Sequence, residues 1–564
     1  MVNTEIWMGA HQALTLVPES QLFLGYSPSV LAAAATSSMG TGSKAHLYKL
    51  DMSAMYGATS SGGGAWTAKY TMVVNAYAGC LVEFYNAAGN YKQTLMVHSN
   101  DANNIYFADA WDHASLDADS FASMRKYGAV VPGPETADSG THLQSTLLSD
   151  NWLGLVETAT FPNVEVEMKP LNLALGGQTR NMTLQLKGLE TASGGSLDII
   201  ANHGAWLYYA LGRCTNINAT FTGVSEVTNP FVGTGSGESY LMEDGVTGDE
   251  ATGAGAYDAQ GPLFYRRIGT TMCPPLGLNQ RAESSGMEKL TIPTMSAGAI
   301  ATPITYTFAE ANTHLLPSFG LEITNSKSSP TEALTTDGGD EVFTRIATGN
   351  LINSLVITAN ENEEMKMNLD LNTKMVIEPQ GSDTTSAGAA HIAHKNVEDE
   401  RNYQNFGSGS GGVSNSEQDF LNPFHFYDGS ISLFGNQYLK ITSMQLTINN
   451  NLQDKRYVGN YNKKIKMAVP GNRDYELTFS GYVTDKEIFT ELLNETETTA
   501  DASQIDLNFQ KDNGEQIRIK FDDYMVISNT WNIPDDKGPI QVDWTIVPRT
   551  LTSCTVKTHW VLMG

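Results

Sequence analysis

The feature that most constrains this chain is alternation. Short segments with an apolar residue at every second position recur along its length: "LVEFYN", "KQTLMVHS", "NIYFADA", "FGLEIT", "INSLVIT", "EMKMNLDLN", "QIDLNFQ", "EQIRIKF" and "QVDWTIVP". Successive side chains of a strand point to opposite faces, so period two marks strands with one face buried and one face wet. Gly, Asn and Asp gather between the segments, where the chain must reverse. With 52 glycines and only 17% charged residues, the composition suits strands joined by turns and not helical bundles. The expected fold class is mainly β.

A second constraint is repetition. "RNMTLQLKG" at 180–188 and "RDYELTFSG" at 473–481 share an entry Arg (Arg180, Arg473), three alternating apolar residues and a closing Gly (Gly188, Gly481). The apolar triplet would cover a strand's face against a helix or second sheet, and the Gly would let the chain turn without a Cβ clash. The Arg has two readings, a solvated surface residue or a partner for a neighbour's carboxylate. The order around the two matches also repeats. In the first copy, Val164, Val166 and Met168 suggest a strand, Met182, Leu184 and Leu186 a second, "NHGAWLYYALG" a helix with Asn202 as N-cap and Gly212 as stop, and three further strands follow. In the second, Met444, Leu446 and Ile448, then Tyr475, Leu477 and Phe479, precede a helix in "TDKEIFTELLN", where Thr484 and Glu487 have capping-box spacing. Both copies read β-β-α-β-β-β.

At 564 residues two to four domains are expected. The boundaries follow breaks in pattern: an N-terminal arm at 1–45, an accessory β-domain at 46–150, a first unit at 151–378 with an insertion at about 216–314, a Gly/Ser-rich linker at 379–421, a second unit at 422–552 and a tail at 553–564.

Residues for chemistry are sparse. Cys80, Cys214, Cys273 and Cys554 are scattered, without metal-ligand spacing. His391 and His394 in "HIAHK" lack a third ligand nearby, and the acidic turns at 242–250 and 335–341 lack calcium-loop spacing. No phosphate loop, nucleophile elbow or zinc-protease signature is present. No catalytic residue, metal or cofactor is therefore expected, and the chain does not read as an enzyme. No Lys or Arg precedes Lys44, so a signal peptide would lack its basic region, and no apolar run reaches the length of a membrane span. Folding and assembly in the cytoplasm, without a membrane partner, is the expectation.

The net charge of −27 argues against gripping a phosphate backbone. Against that background "NNNLQDKRYVGNYNKKIKMAVPGN" concentrates Lys455, Arg456, Lys463, Lys464 and Lys466. It reads either as a solvated basic hairpin or as an arm reaching an acidic surface of a neighbouring subunit. The matching loop of the first copy, "KPLNLALGGQT", is short.

This loop and its flanks, "ITSMQLTINNNLQDKRYVGN" and "PGNRDYELTFSGYVTDKEIFTELLN", resemble the tail tube (major tail) proteins of long-tailed phages, with "LNPFHFYDGSISLFG" similar to their entry strand. In the first copy, "LPSFGLEIT" and "NLINSLVITANENEEMKMNLDLN" are also similar to that family; the "INNN" turn and the basic loop are absent there. The resemblance implies two tandem tube-like β-sandwich or barrel units, each with a short helix, plus inserted small β-domains. It implies a structural virion protein of the tail, assembled in the host cytoplasm. Its partners would be itself, other tail proteins and DNA in transient, non-specific passage. A fused pair suggests rings of three chains with pseudo-sixfold symmetry, or else six chains with one copy outside. Arg180, Gly188, Arg473, Gly481 and the five basic loop residues would serve structure and assembly. The competing reading is an extracellular β-sandwich adhesin, or a surface-layer or glycan-binding protein.

Overall fold

The computed structural model describes residues 155–171, 184–218, 303–311, 316–326, 342–377, 422–433, 440–456, 466–482, 505–532 and 537–558, together with isolated short segments elsewhere, chiefly strands between 12 and 125. The protein is mainly β, as the alternation predicts. Its strands form a 17-stranded sheet, a 7-stranded sheet from the accessory region and four two-stranded ribbons.

The large sheet is best followed through fourteen strands and one helix. They are β1 (Gln12–Pro18), β2 (Leu155–Thr160), β3 (Gly195–Ile200), α1 (Ala205–Leu211), β4 (Gly212–Asn218), β5 (Ile304–Glu310), β6 (Phe319–Ser326), β7 (Val342–Asn360) and β8 (Lys366–Asn372) in the first half. The second half holds β9 (Gly429–Leu433), β10 (Ile441–Asn449), β11 (Asp474–Tyr482), β12 (Ile505–Gln510), β13 (Gln516–Asn532) and β14 (Gln541–Thr558). In the first half β2 pairs β3, β3 pairs β8, β8 pairs β7, β7 pairs β6 and β6 pairs β1, all antiparallel. In the second half β10 pairs β11, β11 pairs β14, β14 pairs β13, β13 pairs β12 and β12 pairs β9, again antiparallel. The two pairing orders coincide strand for strand. They are joined where β7 takes β10 as its other neighbour.

The first copy nevertheless departs from the expected assignment. Val164, Val166 and Met168 and the "RNMTLQLKG" strand do not lie in the main sheet. Asn163–Leu171 and Leu184–Ser193 pair only with each other, as a long two-stranded arm. The main-sheet strands of that half are instead β2 and β3, on either side of the arm. The arm's alternating apolar residues are exposed: Val164, Val166, Met168 and Leu186 keep 40–56% of their surface. In the second half Tyr475, Leu477 and Phe479 of "RDYELTFSG" are fully buried in β11. Alternation fixes that a strand forms with an apolar face; it does not fix what covers the face. The second half carries a shorter arm at the corresponding place, Gln453–Arg456 against Lys466–Val469. The first arm is thus the longer one, against the expectation from its loop.

Boundaries differ too. β14 runs to Thr558 and buries Cys554 and Val556, so no tail begins at 553. β4 and β5 lie at the edges of the expected insertion yet belong to the main sheet, with Ile304–Phe308 paired to Cys554–Thr558. β1 and the strand Leu22–Tyr26, from the expected arm, pair with β6 and with the accessory sheet. The linker at 379–421, His391, His394 and the helix expected at 484–494 lie outside the described residues.

One hydrophobic core runs through both halves. The helix forms where expected, but it starts at Ala205 with Gly204 as its cap and no side-chain capping bond. All seven residues are buried, as befits a helix apolar on every side. Trp206 and Tyr209 meet Phe319 edge-on at 5.4 and 4.8 Å. Gly212 ends the helix at φ +99°, a left-handed conformation that glycine adopts without penalty.

Candidate functional site: the open face of the main sheet

Eight strands form an unbroken antiparallel row in the order β2–β3–β8–β7–β10–β11–β14–β13. Burial alternates along each: β3 reads buried, half-buried in strict period two, and β8 places Met367, Leu369 and Leu371 inward with Asn368 and Asp370 outward. In β10, Leu446 and Ile448 are buried while Gln445 and Thr447 face away; in β11, Asp474 and Glu476 flank the buried Tyr475. Strand pairing aligns these alternations across the row, so one face is core and the opposite face is open.

The open face is mostly hydroxyls, amides and carboxylates, with Ile200 and Val356 among them. Its acids include Glu157, Asp198, Asp370, Asp474, Glu476 and Asp543; Lys366 also lies on it, bound to Glu157 at 2.8 Å. Neutral donors hold the carboxylates. Thr158 and Asn368 both donate to Asp198. Asn353 donates to Asp370 at 2.8 Å, Asn451 to Asp474 at 2.6 Å and Ser480 to Asp543 at 2.6 Å. Such bonds fix the carboxylates in place without cancelling their charge. Of the other cations of the main sheet, Arg518 and Lys520 bind Asp506, Arg549 stands 3.8 Å from Asp523, and Lys511 forms a buried pair with Glu515 at 2.8 Å. Burial pulls the Lys511 ammonium below its ordinary value against the opposing pull of Glu515.

The residues singled out in the sequence disperse over this frame. Arg473 is half-buried and, among the described residues, is paired with no carboxylate. Its Nε donates to Asn450 Oδ1 at 2.8 Å, and its Nη2 to the carbonyls of Ala210 and Leu211 at 3.3 and 3.0 Å. Gly188 and Gly481 do not turn the chain; both sit within strands at β-bulges, Gly188 in the bulged strand and Gly481 opposite the bulge at Thr442. A Cβ at Gly481 would stand 2.7 Å from the Lys440 carbonyl oxygen, and one at Gly188 would meet Glu167 at the same distance. Lys455 lies on the short arm and donates to Gln453 at 2.9 Å. Arg456 and Lys466 lie on the paired strands of that arm. Arg180, Lys463 and Lys464 lie outside the described residues. Asn450, Asp198 and Asp370 were missed. An Asn-rich turn was visible in the sequence, but which Asn turns inward depends on the joint between halves.

This layout is a broad, largely polar and acidic face, and among the described residues no His, Cys, Asp and Glu gather into a metal-holding group. Residues 284–543 match the family model for phage tail tube proteins. The tail tube match takes in β5 to β8 of the first half and β9 to β13 of the second, and ends inside β14. It leaves out β2, β3 and the long arm. None of the curated proteins matches the chain. Among solved structures, a chain from "Tail of empty GTA particle computed with helical refinement, C6 symmetry" aligns with 22% of this chain and 95% of its own length, at 13% identity and a TM-score of 0.17.

Proposed function

We propose that this protein is a structural, non-enzymatic component of a phage tail: a tube protein that assembles into stacked rings and lines a channel for DNA. One observation carries the reading. The eight-strand row joins two halves of identical pairing order and presents a single polar, acidic face, within a chain that matches the tail tube family.

The two halves are read as copies of one unit, duplicated and fused. An eight-stranded barrel has an interior that side chains fill, and an aqueous channel needs roughly 16 strands or more. One chain alone therefore makes no conduit. Three chains of eight strands each make a wide one, with six similar units around it. Duplex DNA carries one charge per about 1.7 Å of axis and is held by proteins through Lys and Arg, which release its counterions. A wall of Asp and Glu gives it no such hold. With a Debye length of about 8 Å at physiological salt, the repulsion acts only near the wall and does not bar entry. Other tail proteins would cap the stack. Assembly in the host cytoplasm and residence in the virion tail follow from the same reading.

Electron microscopy of the purified protein tests it. Tubes or rings whose averages show threefold symmetry support the proposal, and strict sixfold symmetry removes the fused ring of three. Dispersed monomers that bind glycan would replace it with the adhesin reading.

A further inference from the structure

A buried lysine, a buried glutamate and an asparagine with an idle amide meet where the two halves touch. Lys511 and Glu515 flank the turn between β12 and β13, where the Lys511 N–H donates to the Glu515 carbonyl at 2.9 Å and Gly514 takes φ +90°. Asn202 lies between β3 and α1, 309 residues before Lys511. Lys511, Glu515 and Asn202 are 8%, 0% and 1% exposed. Lys511 Nζ donates to Glu515 Oε2 at 2.8 Å, to the backbone carbonyl of Asn202 at 3.3 Å and to that of Asn422 at 2.5 Å. The Phe424 ring covers it at 4.2 Å. Glu515 Oε1 accepts from Thr558 at 3.0 Å.

Both polar atoms of the Asn202 side-chain amide are buried and, among the described residues, have no hydrogen-bond partner. Native proteins rarely leave a buried amide so, because each such group costs its full desolvation. An ion pair between Lys511 and Glu515 gives this amide nothing to do. We infer that the cluster joins the two halves covalently: Lys511 Nζ displaces the amide nitrogen of Asn202 to form an intramolecular isopeptide bond, with Glu515 as the catalytic proton carrier.

A buried ion pair bears a desolvation penalty that a neutral amine and carboxylic acid escape, so the proton passes readily from Lys511 to Glu515. Burial favours the neutral amine in the same sense, against the pull of Glu515 and Asp428. A desolvated amine is a nucleophile, and the protonated carboxyl beside it can support the oxygen of the amide under attack. The Nζ–Cγ bond forms and the Cγ–Nδ2 bond breaks. The two protons that Nζ loses leave with Nδ2 as an ammonium ion, one of them carried by Glu515, and no oxidant or other reactant is consumed. Asn202 brings its amide to Nζ by turning about its own side-chain bonds, giving up no hydrogen bond to a described residue. It is the acceptor because Asn422 is exposed and Asn513 already binds Glu515 through both ends of its amide. The reaction happens once per chain and uses no outside substrate, so it makes the protein no enzyme. It does not depend on the tube reading.

Peptide mapping of the purified full chain by mass spectrometry tests the bond. A branched peptide is expected, joining the segment that carries Asn202 to the one that carries Lys511, lighter than the two together by one ammonia. Lys511→Arg and Glu515→Gln should each abolish it, and both variants should migrate differently from the parent in a denaturing gel, because the closed loop is gone. Recovery of both segments unbranched from the unaltered protein after prolonged incubation overturns the inference. So does loss of ammonia without a branch, or a branch through Asn422 or Asn513. A branch that survives in Glu515→Gln overturns the role of Glu515. Should the variants fail to fold, the map of the unaltered protein still decides whether the bond forms.

Discussion

The guanidinium of Arg473 donates to the carbonyl oxygen of Leu211 at 3.0 Å, across 262 residues of sequence. With Asn450, whose amide donates to Ala210 at 3.1 Å and Ile352 at 2.9 Å, it satisfies the last carbonyls of α1. Those groups have no partner within the helix, and a cation there also meets the negative end of the helix dipole. One half of the molecule thus finishes the helix of the other.

Arg473→Ala should therefore lower stability by about 1.5–3 kcal/mol, the scale of hydrogen bonds made by a charged group, since the Leu211 oxygen keeps the Ala311 N–H at 2.8 Å and the Ala210 oxygen keeps Asn450. Arg473→Lys should recover part of it, since Lys keeps the charge but not the forked geometry. Denaturant unfolding measures both. An Ala variant as stable as the parent would show that the clamp contributes nothing.

The open face predicts a charge-sign effect on DNA. Replacing Asp198, Asp370 and Asp543 together by Asn should leave assembled tubes as indifferent to DNA as before. Replacing the same three by Lys should make tubes retain DNA, with affinity falling steeply as salt rises, by a log–log slope of about −0.9 per phosphate contacted. Binding of short duplexes to purified tubes across a salt series reads the difference. Equal behaviour of the Asn and Lys variants would place this face away from the channel.

The exposed side chains of the long arm should matter to association and not to folding. Val166→Ser with Met168→Ser is expected to shift subunit stability by no more than about 0.5 kcal/mol, as for other surface changes. The same pair should weaken tube formation, since an apolar patch without cover marks a contact surface. Sedimentation against concentration, alongside thermal melting, separates the two effects.

Cys554 gives a pH prediction. Burial pushes its thiol up to about 12 from an ordinary 9.0. The sign follows directly: above pH 9 the unfolded chain loses this proton while the folded chain keeps it, so the unfolded state gains and stability falls as pH rises from 9 towards 12. Cys554→Ala should flatten that decline, although it leaves a small cavity. Parallel stability profiles for parent and variant would refute the assignment.

Much of this was legible in residue order. The three strands after each expected helix fall where "FGLEIT", "INSLVIT" and "EMKMNLDLN", and their later counterparts, place them. The helix over Ala205–Leu211 and its stop at Gly212 were readable from an apolar run closed by glycine. The nine-residue match misled in the first half because both stretches satisfy the same local rule, an apolar face on a strand with a glycine at a bulge. Val166 and Leu477 look alike in sequence; one lies on a projecting arm and the other in the core.

The sequence by itself determined the strand content and the sign of the charge, because periodicity and composition are properties of neighbours along the chain. Only the tertiary structure decided which strands share the eight-strand row, that Arg473 closes a helix 262 residues away, and that Asp198, Asp370 and Asp543 share one face. Those are relations between segments far apart in sequence, set by which edges and faces meet once the core is buried, and no local pattern encodes them.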